Sequence, residues 1–290
     1  MSKAPVIVWF RNDLRVADHP ALSAAAATGA PVVALYVLDD VSAGRWVYGA
    51  ASRWWLHGSL EALGRDVAAL GGSLVLRRGA ALEVVPALAA EIGAEAVYCS
   101  RAYEPWAAAL ERDLNARLEP RGVALRRFAG RLLHEPEAIR TQSGEPYRVY
   151  TPFWRAVLAA GQPRRPLPTP SRLAPLAKMP ASERLADWRL TPSKPDWAGG
   201  LRAAWMPGEA GARRRLATIL DRHIARYHEQ RDVPSIEATS RLSPHLAFGE
   251  ISPASVWHAA RALEAREPGM ARGVEVFLKE LAWREFSAHL

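Results

Sequence analysis

Two kinds of hydrophobic pattern divide the chain. In the first 130 residues, short apolar runs alternate with stretches of helical periodicity. Residues 6–10, Val6-Ile7-Val8-Trp9-Phe10, are apolar throughout, as a strand buried on both faces requires. Residues 20–27 are Ala-rich and predict a helix, with Asp18 upstream as its N-cap. A Val-rich strand follows at 31–38, then a long amphipathic helix at 50–70 ended by Gly71-Gly72. The alternation continues with a strand at 74–76, a helix at 81–92 closed by Gly93, a strand at 96–99, a helix at 106–117 and a strand at 123–128. Strand and helix in this order predict a parallel sheet with right-handed crossovers and helices on both faces. The fold class is therefore α/β, doubly wound and Rossmann-like, over residues 1–130.

The pattern then changes. Residues 131–200 read as an interdomain connector. Within it, Pro163, Pro166, Pro168, Pro170, Pro175 and Pro180 fix φ and remove amide donors, which favours an extended path. Beyond the connector only helices are predicted, so residues 201–290 form an all-α unit. Residues 209–231 have continuous helical periodicity. Ser252 is an N-cap, and Pro253 at the first helical position opens a helix to Arg266. Residues 270–290 predict a last amphipathic helix. It reaches Leu290 without a glycine or other stop signal, so we expect the natural protein to continue and the helical domain to be truncated here.

Composition narrows the function classes. Among 290 residues, 38 Lys and Arg stand against 30 Asp and Glu, a net charge of +8 that favours a polyanionic partner but also fits dispersed surface charge. No apolar run approaches the ~20 residues of a membrane span. The first residues lack the h-region and cleavage site of an export signal. Cys99 is the only cysteine, which fits a reducing cytosol and excludes a cysteine-rich metal site. Eleven tryptophans include Trp106, Trp154 and Trp205 in polar surroundings, although core filling is the ordinary use of an indole.

Three clusters carry candidate chemistry. Glu280, Trp283 and Arg284, at i, i+3 and i+4, bring a carboxylate, an indole and a guanidinium together on one helix face, with Phe277 one turn earlier. A carboxylate can accept from a base N–H, and an indole is a stacking surface. By spacing alone the plainer reading, an i,i+4 ion pair beside a core Trp, is favoured. Thr239-Ser240-Arg241-Leu242-Ser243-Pro244 crowds hydroxyls and a guanidinium into a turn, with Ser243 as N-cap before Pro244. A helix start of this kind suits a diphosphate, and equally suits hydroxyls that satisfy their own backbone. Tyr227 and Arg231 form an i,i+4 pair that suits phosphate contacts or a solvated face. There is no Walker A sequence, no GxGxxG after the first strand and no metal-ligand spacing; His223 and His228 share no helix face.

Taken in order, these segments resemble the photolyase/cryptochrome family, and most of all its bacterial cyclobutane pyrimidine dimer photolyases. The resemblance rests on Trp9-Phe10-Arg11-Asn12-Asp13-Leu14-Arg15 continuing to Asp18, on Ala51-Ser52-Arg53-Trp54-Trp55-Leu56-His57, and on Tyr150-Thr151-Pro152-Phe153-Trp154. Its most specific parts are Arg231-Asp232-Val233-Pro234, the run from Thr239 to Leu246, Phe248-Gly249-Glu250-Ile251-Ser252, and Glu280-Leu281-Ala282-Trp283-Arg284-Glu285-Phe286. The resemblance implies a Rossmann-like antenna domain and a helical domain that binds FAD. It implies that Tyr227, Thr239, Ser240, Arg241, Leu242, Ser243 and Phe277 contact the flavin. It further implies that Arg231, Glu280, Trp283 and Arg284 face DNA, with Glu280 and Trp283 meeting a flipped pyrimidine dimer. The implied activity is light-dependent dimer repair by electron transfer from reduced FAD (a deoxyribodipyrimidine photo-lyase), by a cytoplasmic monomer acting on damaged DNA without an obligate protein partner or a membrane. A second antenna chromophore, of folate or deazaflavin type, is implied without assigned residues. The chain departs from the family pattern at Ala238, where Gly is common, and at Ser287, where Tyr is common. The alternatives are a cryptochrome-like photoreceptor without repair and a fragment unable to hold FAD.

Overall fold

The computed structural model describes residues 3–290. Strands β1 (Val6–Phe10), β2 (Val32–Leu38), β3 (Leu74–Arg78), β4 (Ala96–Ser100) and β5 (Ala124–Phe128) form one parallel sheet in the order β3-β2-β1-β4-β5. Val6 lies opposite Val32 on one side and Ala96 on the other. Four helices cover the sheet: α1 (Pro20–Ala27), α2 (Ala50–Ala69), α3 (Ala81–Ile92) and α4 (Pro105–Leu118). Successive strand side chains point to opposite faces. Val6, Val8, Phe10, Ala34 and Tyr36 therefore pack with α1 and α2, while Ile7, Trp9, Val33 and Leu35 pack with α3 and α4. Both faces of the central strands β1, β2 and β4 are covered, which is why these run buried without alternation, while the edge strands β3 and β5 carry arginines.

The element bounds lie close to those the periodicity predicts, with one correction at α1. Its N-cap is His19, whose Nδ1 accepts from the Leu22 amide at 3.1 Å. Asp18 has a left-handed backbone (φ +48°), which turns its carboxylate away from the helix toward the rest of the chain. There it accepts from the Leu167 amide at 2.8 Å, the Arg164 guanidinium and the Ser252 hydroxyl.

The second half of the chain carries α5 (Tyr150–Ala159), α6 (Gly199–Ala204), α7 (Glu209–Thr218), α8 (Tyr227–Gln230), α9 (Ser243–Ala247), α10 (Pro253–Arg266) and α11 (Ala271–His289). Phe153 and Trp154 of α5 join Leu216, Ile219, Ile224, Trp257, Val274, Phe277 and Leu278 in a second core. Ser252 caps α10 as its sequence predicts, its hydroxyl accepting from the Ser255 amide at 2.9 Å. The proline-rich stretch runs along the α/β unit, pairing once through Pro31 and Ala174 and burying Leu173 and Trp188.

The single helix expected over 209–231 is broken. A wide π-type turn at Ile219–His223 and a tight turn at Ile224–Arg226 separate α7 from α8. Close approach of α11 accounts for the break. A Cβ on Gly273 would lie 1.8 Å from the Ile224 carbonyl oxygen, so α11 sits directly against that backbone. Periodicity in the sequence continues across such an interruption because the apolar side chains still face the same core.

A buried polar seam joins the two halves. Arg15 donates to the carbonyls of Asp18 at 2.8 Å, Gly249 at 3.0 Å and Gly130 at 3.1 Å. Glu250 is fully buried and accepts from Trp55 Nε1 at 3.0 Å, the Gly208 amide at 2.7 Å and the Ser59 hydroxyl, with His245 paired to its second oxygen. Gly249 (φ +66°) is wedged against the loop after β1, where a Cβ would fall 2.1 Å from the Asn12 carbonyl oxygen. No helix among the described residues is long and apolar enough to cross a membrane.

Candidate functional site

A cavity of about 500 Å³ opens between the turn at residues 239–243 and α11. Its walls include Thr239, Ser240, Arg241, Leu242 and Ser243 on one side and Phe277, Glu280, Leu281 and Arg284 on the other. The volume lies in the range of cofactor and small-molecule sites. Arg241 takes a left-handed backbone (φ +52°), a conformation that costs a non-glycine residue about 1 kcal/mol or more. This bend lets consecutive residues of the turn all face the cavity. The Arg241 guanidinium pairs with Glu237 at 2.8 Å and lies 5.7 Å from the ring centroid of Trp205, another wall residue.

Ser243 is not the N-cap that its sequence predicts. It is the first residue of α9, with Leu242 preceding it, because Leu242 already has a helical backbone. The helix is only five residues long, so hydroxyls and the Arg241 charge, rather than a helix dipole, would have to hold an anion here. The Ser240 hydroxyl accepts weakly from the Leu242 amide at 3.3 Å. No intrachain hydrogen bond of the Thr239 and Ser243 hydroxyls is found among the described residues, so both are available to a guest.

On α11 the three residues expected to share a face divide. Glu280 and Arg284 line the cavity, whereas Trp283 points to the neighbouring side and stacks on Tyr150 with ring centroids 3.7 Å apart and planes 7° from parallel. The plain i,i+4 pair between Glu280 and Arg284 is not formed. Glu280 instead meets Arg231 at 2.9 Å, and Arg284 meets Glu285 at 2.7 Å. Burial raises the Glu280 carboxyl above its ordinary range; Arg231 opposes the shift and Asp232 adds to it. Tyr227 lies behind the wall rather than in it, buried and edge-on to Phe277 at 5.6 Å. Its phenol is raised by burial and then by Glu280.

Glu285 backs this arrangement. Its carboxylate is buried, accepting from the Leu133 amide at 2.6 Å and from Arg284 Nη1 at 2.7 Å. Burial outweighs both bonds and pushes its pKa up to about 7.

A second, smaller cavity of about 230 Å³ lies at the C-terminal ends of β1 and β2, where the strand order reverses between β1 and β4. Trp9, Arg11, Trp46, Tyr48, Glu104 and Trp106 are among its walls. Arg131 holds Glu104 at 3.1 Å and contributes to lowering its pKa to about 2 against the opposing effect of burial.

Residues 6–171 match the sequence profile of the family described as DNA photolyase. The chain belongs to that family. It is 46% identical over 290 residues to a deoxyribodipyrimidine photo-lyase of Agrobacterium fabrum, covering all of this chain and 60% of the relative. Among solved structures, a bacterial class III photolyase from Agrobacterium tumefaciens superposes with a TM-score of 0.93 at 44% identity, over 100% of this chain and 59% of that one. A cryptochrome of Synechocystis sp. PCC6803 superposes with a TM-score of 0.85 at 25% identity, over 100% of this chain and 62% of that one. The chain thus spans about 60% of the length of these photolyase-family relatives.

Within this photolyase-family chain, the motif residues gather in three dimensions as their order along the sequence does not reveal. Thr239 to Ser243, Phe277, Glu280 and Arg284 meet at one cavity, Arg231 is tied to it through Glu280, and Trp283 and Tyr227 flank it. Sequence reasoning missed Val256, Leu246 and Ala247 in the wall, since an apolar helical residue carries no signal that separates core from cavity lining. Trp205 had a signal, an indole in polar surroundings, but nothing linked it to the distant turn. The donor set fits a flavin dinucleotide in kind: hydroxyls and a guanidinium for phosphates and a ribityl chain, and Phe277, Leu281 and Val256 for a flat ring system.

Proposed function

We propose that this chain is the light-harvesting and lesion-reading portion of a cytosolic, monomeric, FAD-dependent DNA photolyase that splits cyclobutane pyrimidine dimers. What supports this most is one juxtaposition. Glu280 shares a cavity with the hydroxyl turn at 239–243, while Trp283, three residues on along the same helix, keeps 45% of its surface exposed. Thr239, Ser240, Arg241 and Ser243 would hold the phosphates and ribityl hydroxyls, with Leu242, Phe277 and Tyr227 supplying apolar and aromatic support. Reduced FAD held by these residues would supply a light-excited one-electron donor, in a redox-neutral cycle that needs no further reductant.

The chain's own residues do the remaining work. Glu280 accepts from the N–H of a flipped base; burial raises its pKa, and its contact with Arg231 opposes that rise and favours the charged form. Trp283 stacks on the base, and Arg231 and Arg284 meet backbone phosphates. A dimer unstacks at lower cost than an intact pair, which contributes to selectivity. A second chromophore of folate or deazaflavin type would suit the aromatic crevice at the ends of β1 and β2.

The test is dimer loss from ultraviolet-irradiated DNA under blue light, by protein loaded with reduced FAD, against a dark control. Repair that weakens in Glu280→Gln and Trp283→Ala is expected. Intact dimers under illumination would overturn the repair reading in favour of a signalling photoreceptor.

A further inference from the structure

We propose that Tyr150 is a positioning residue that fixes the Trp283 indole as a one-sided stacking platform. The inference rests on the lesion reading above and adds a residue to it. Tyr150 opens α5, on an element far from α11 in sequence. Its ring lies flat on Trp283, centroids 3.7 Å apart and planes 7° from parallel. Its hydroxyl donates to the Lys279 carbonyl at 2.6 Å. That carbonyl is one helical turn before Trp283, the position to which the Trp283 amide points in a regular helix. The phenol therefore anchors to the same turn that carries the indole. Phe286 closes a third side, edge-on to Trp283 at 5.8 Å and to Tyr150 at 5.9 Å.

With one face covered by Tyr150 and one edge by Phe286, the 45% exposure of Trp283 comes from the opposite face and outer edge. Such a platform accepts one flat heteroaromatic ring. It cannot sandwich a ring between two aromatics, because Tyr150 already occupies the second face. An indole without this support samples several rotamers, and each must be given up on binding. Ordering one such side chain weakens affinity by roughly 3- to 10-fold.

The experiment measures dark equilibrium binding of the chain to a labelled duplex with a single cyclobutane dimer, and to the same duplex undamaged. Tyr150→Leu is expected to weaken dimer binding about 3- to 10-fold, leaving affinity for undamaged DNA unchanged. Tyr150→Phe, which keeps the flat ring and loses only the hydroxyl, is expected to restore wild-type preference. The double variant with Trp283→Ala is expected to bind no more weakly than Trp283→Ala alone, since the two residues act as a unit. Should Tyr150→Leu melt below the assay temperature, Tyr150→Met fills similar space without a flat face and carries the same expectations. If Trp283→Ala loses dimer preference and Tyr150→Leu retains it, Tyr150 has no positioning role, while the lesion reading stands. If Trp283→Ala itself retains the preference, or the wild-type chain shows none, the lesion reading and this inference fall together.

Discussion

Replacing Glu285 with Gln should reverse part of the pH dependence of stability. The carboxyl is buried, with its pKa raised from an ordinary 4.5 to about 7. Below pH 4.5 the group is protonated whether the chain is folded or not, and it costs nothing. Between about 4.5 and 7 the unfolded chain has released a proton that the folded chain retains. The unfolded state then binds fewer protons, so stability falls as pH rises and levels off above 7. A shift of some two and a half units corresponds to about 3 kcal/mol. Gln mimics the protonated acid: its amide oxygen can still accept from Leu133, and nothing titrates. Urea denaturation of both proteins from pH 4.5 to 8 isolates the effect, since all other titrating groups are shared. The variant should match wild type at the acidic end and exceed it by about 3 kcal/mol at pH 8. A difference constant across pH, or a variant weaker than wild type at pH 8, would refute the reasoning. The latter result would mean that Arg284 and Leu133 stabilise the carboxylate more than burial opposes it.

Other expectations follow from the same geometry. Gly249→Ala places a methyl 2.1 Å from the Asn12 carbonyl at a left-handed backbone position, so a loss of several kcal/mol is expected in thermal melts; near-wild-type stability would mean the seam is loose. Arg231→Gln should weaken damaged and undamaged DNA alike and reduce the salt dependence by about one counterion, measured as the slope of log affinity against log salt. Its half-exposed pair with Glu280 should contribute no more than about 1 kcal/mol to stability, so an unfolded variant would contradict a surface role. Glu250→Leu removes the acceptor shared by Trp55, Gly208, Ser59 and His245, and a loss of about 3 kcal/mol or more is expected in urea titration.

The centre of the sheet was legible because β1 and β2 are uninterrupted apolar runs, the pattern that double-sided burial produces, whereas the edge strands β3 and β5 carry arginines and were placed by the strand–helix alternation around them. The capped start of α10 was legible for a similar reason: Ser252 and Pro253 act locally, and local chemistry is written in adjacent residues. The break between α7 and α8 was not, since it depends on Gly273 nearly fifty residues away admitting the Ile224 carbonyl. The same limit applied at the site. Glu280 and Arg284 can pair by spacing, yet each finds a better partner, Arg231 from another element and Glu285 next in sequence. Trp283 lies at i+3 from Glu280, and 300° of helical turn leaves it beside the cavity wall rather than in it. Asp18 and Arg15 read as part of a motif, and only the fold shows that they hold the α/β unit to the helices.

The most direct measurement of the flavin seat is an equilibrium titration of the chain with FAD and, separately, with riboflavin, which lacks the diphosphate. Saturable binding is expected, tighter for FAD than for riboflavin, with the difference abolished in Arg241→Gln and both ligands weakened in Phe277→Ala. Equal affinity for the two ligands, unaffected by either substitution, would contradict a flavin held on the 239–243 turn against α11.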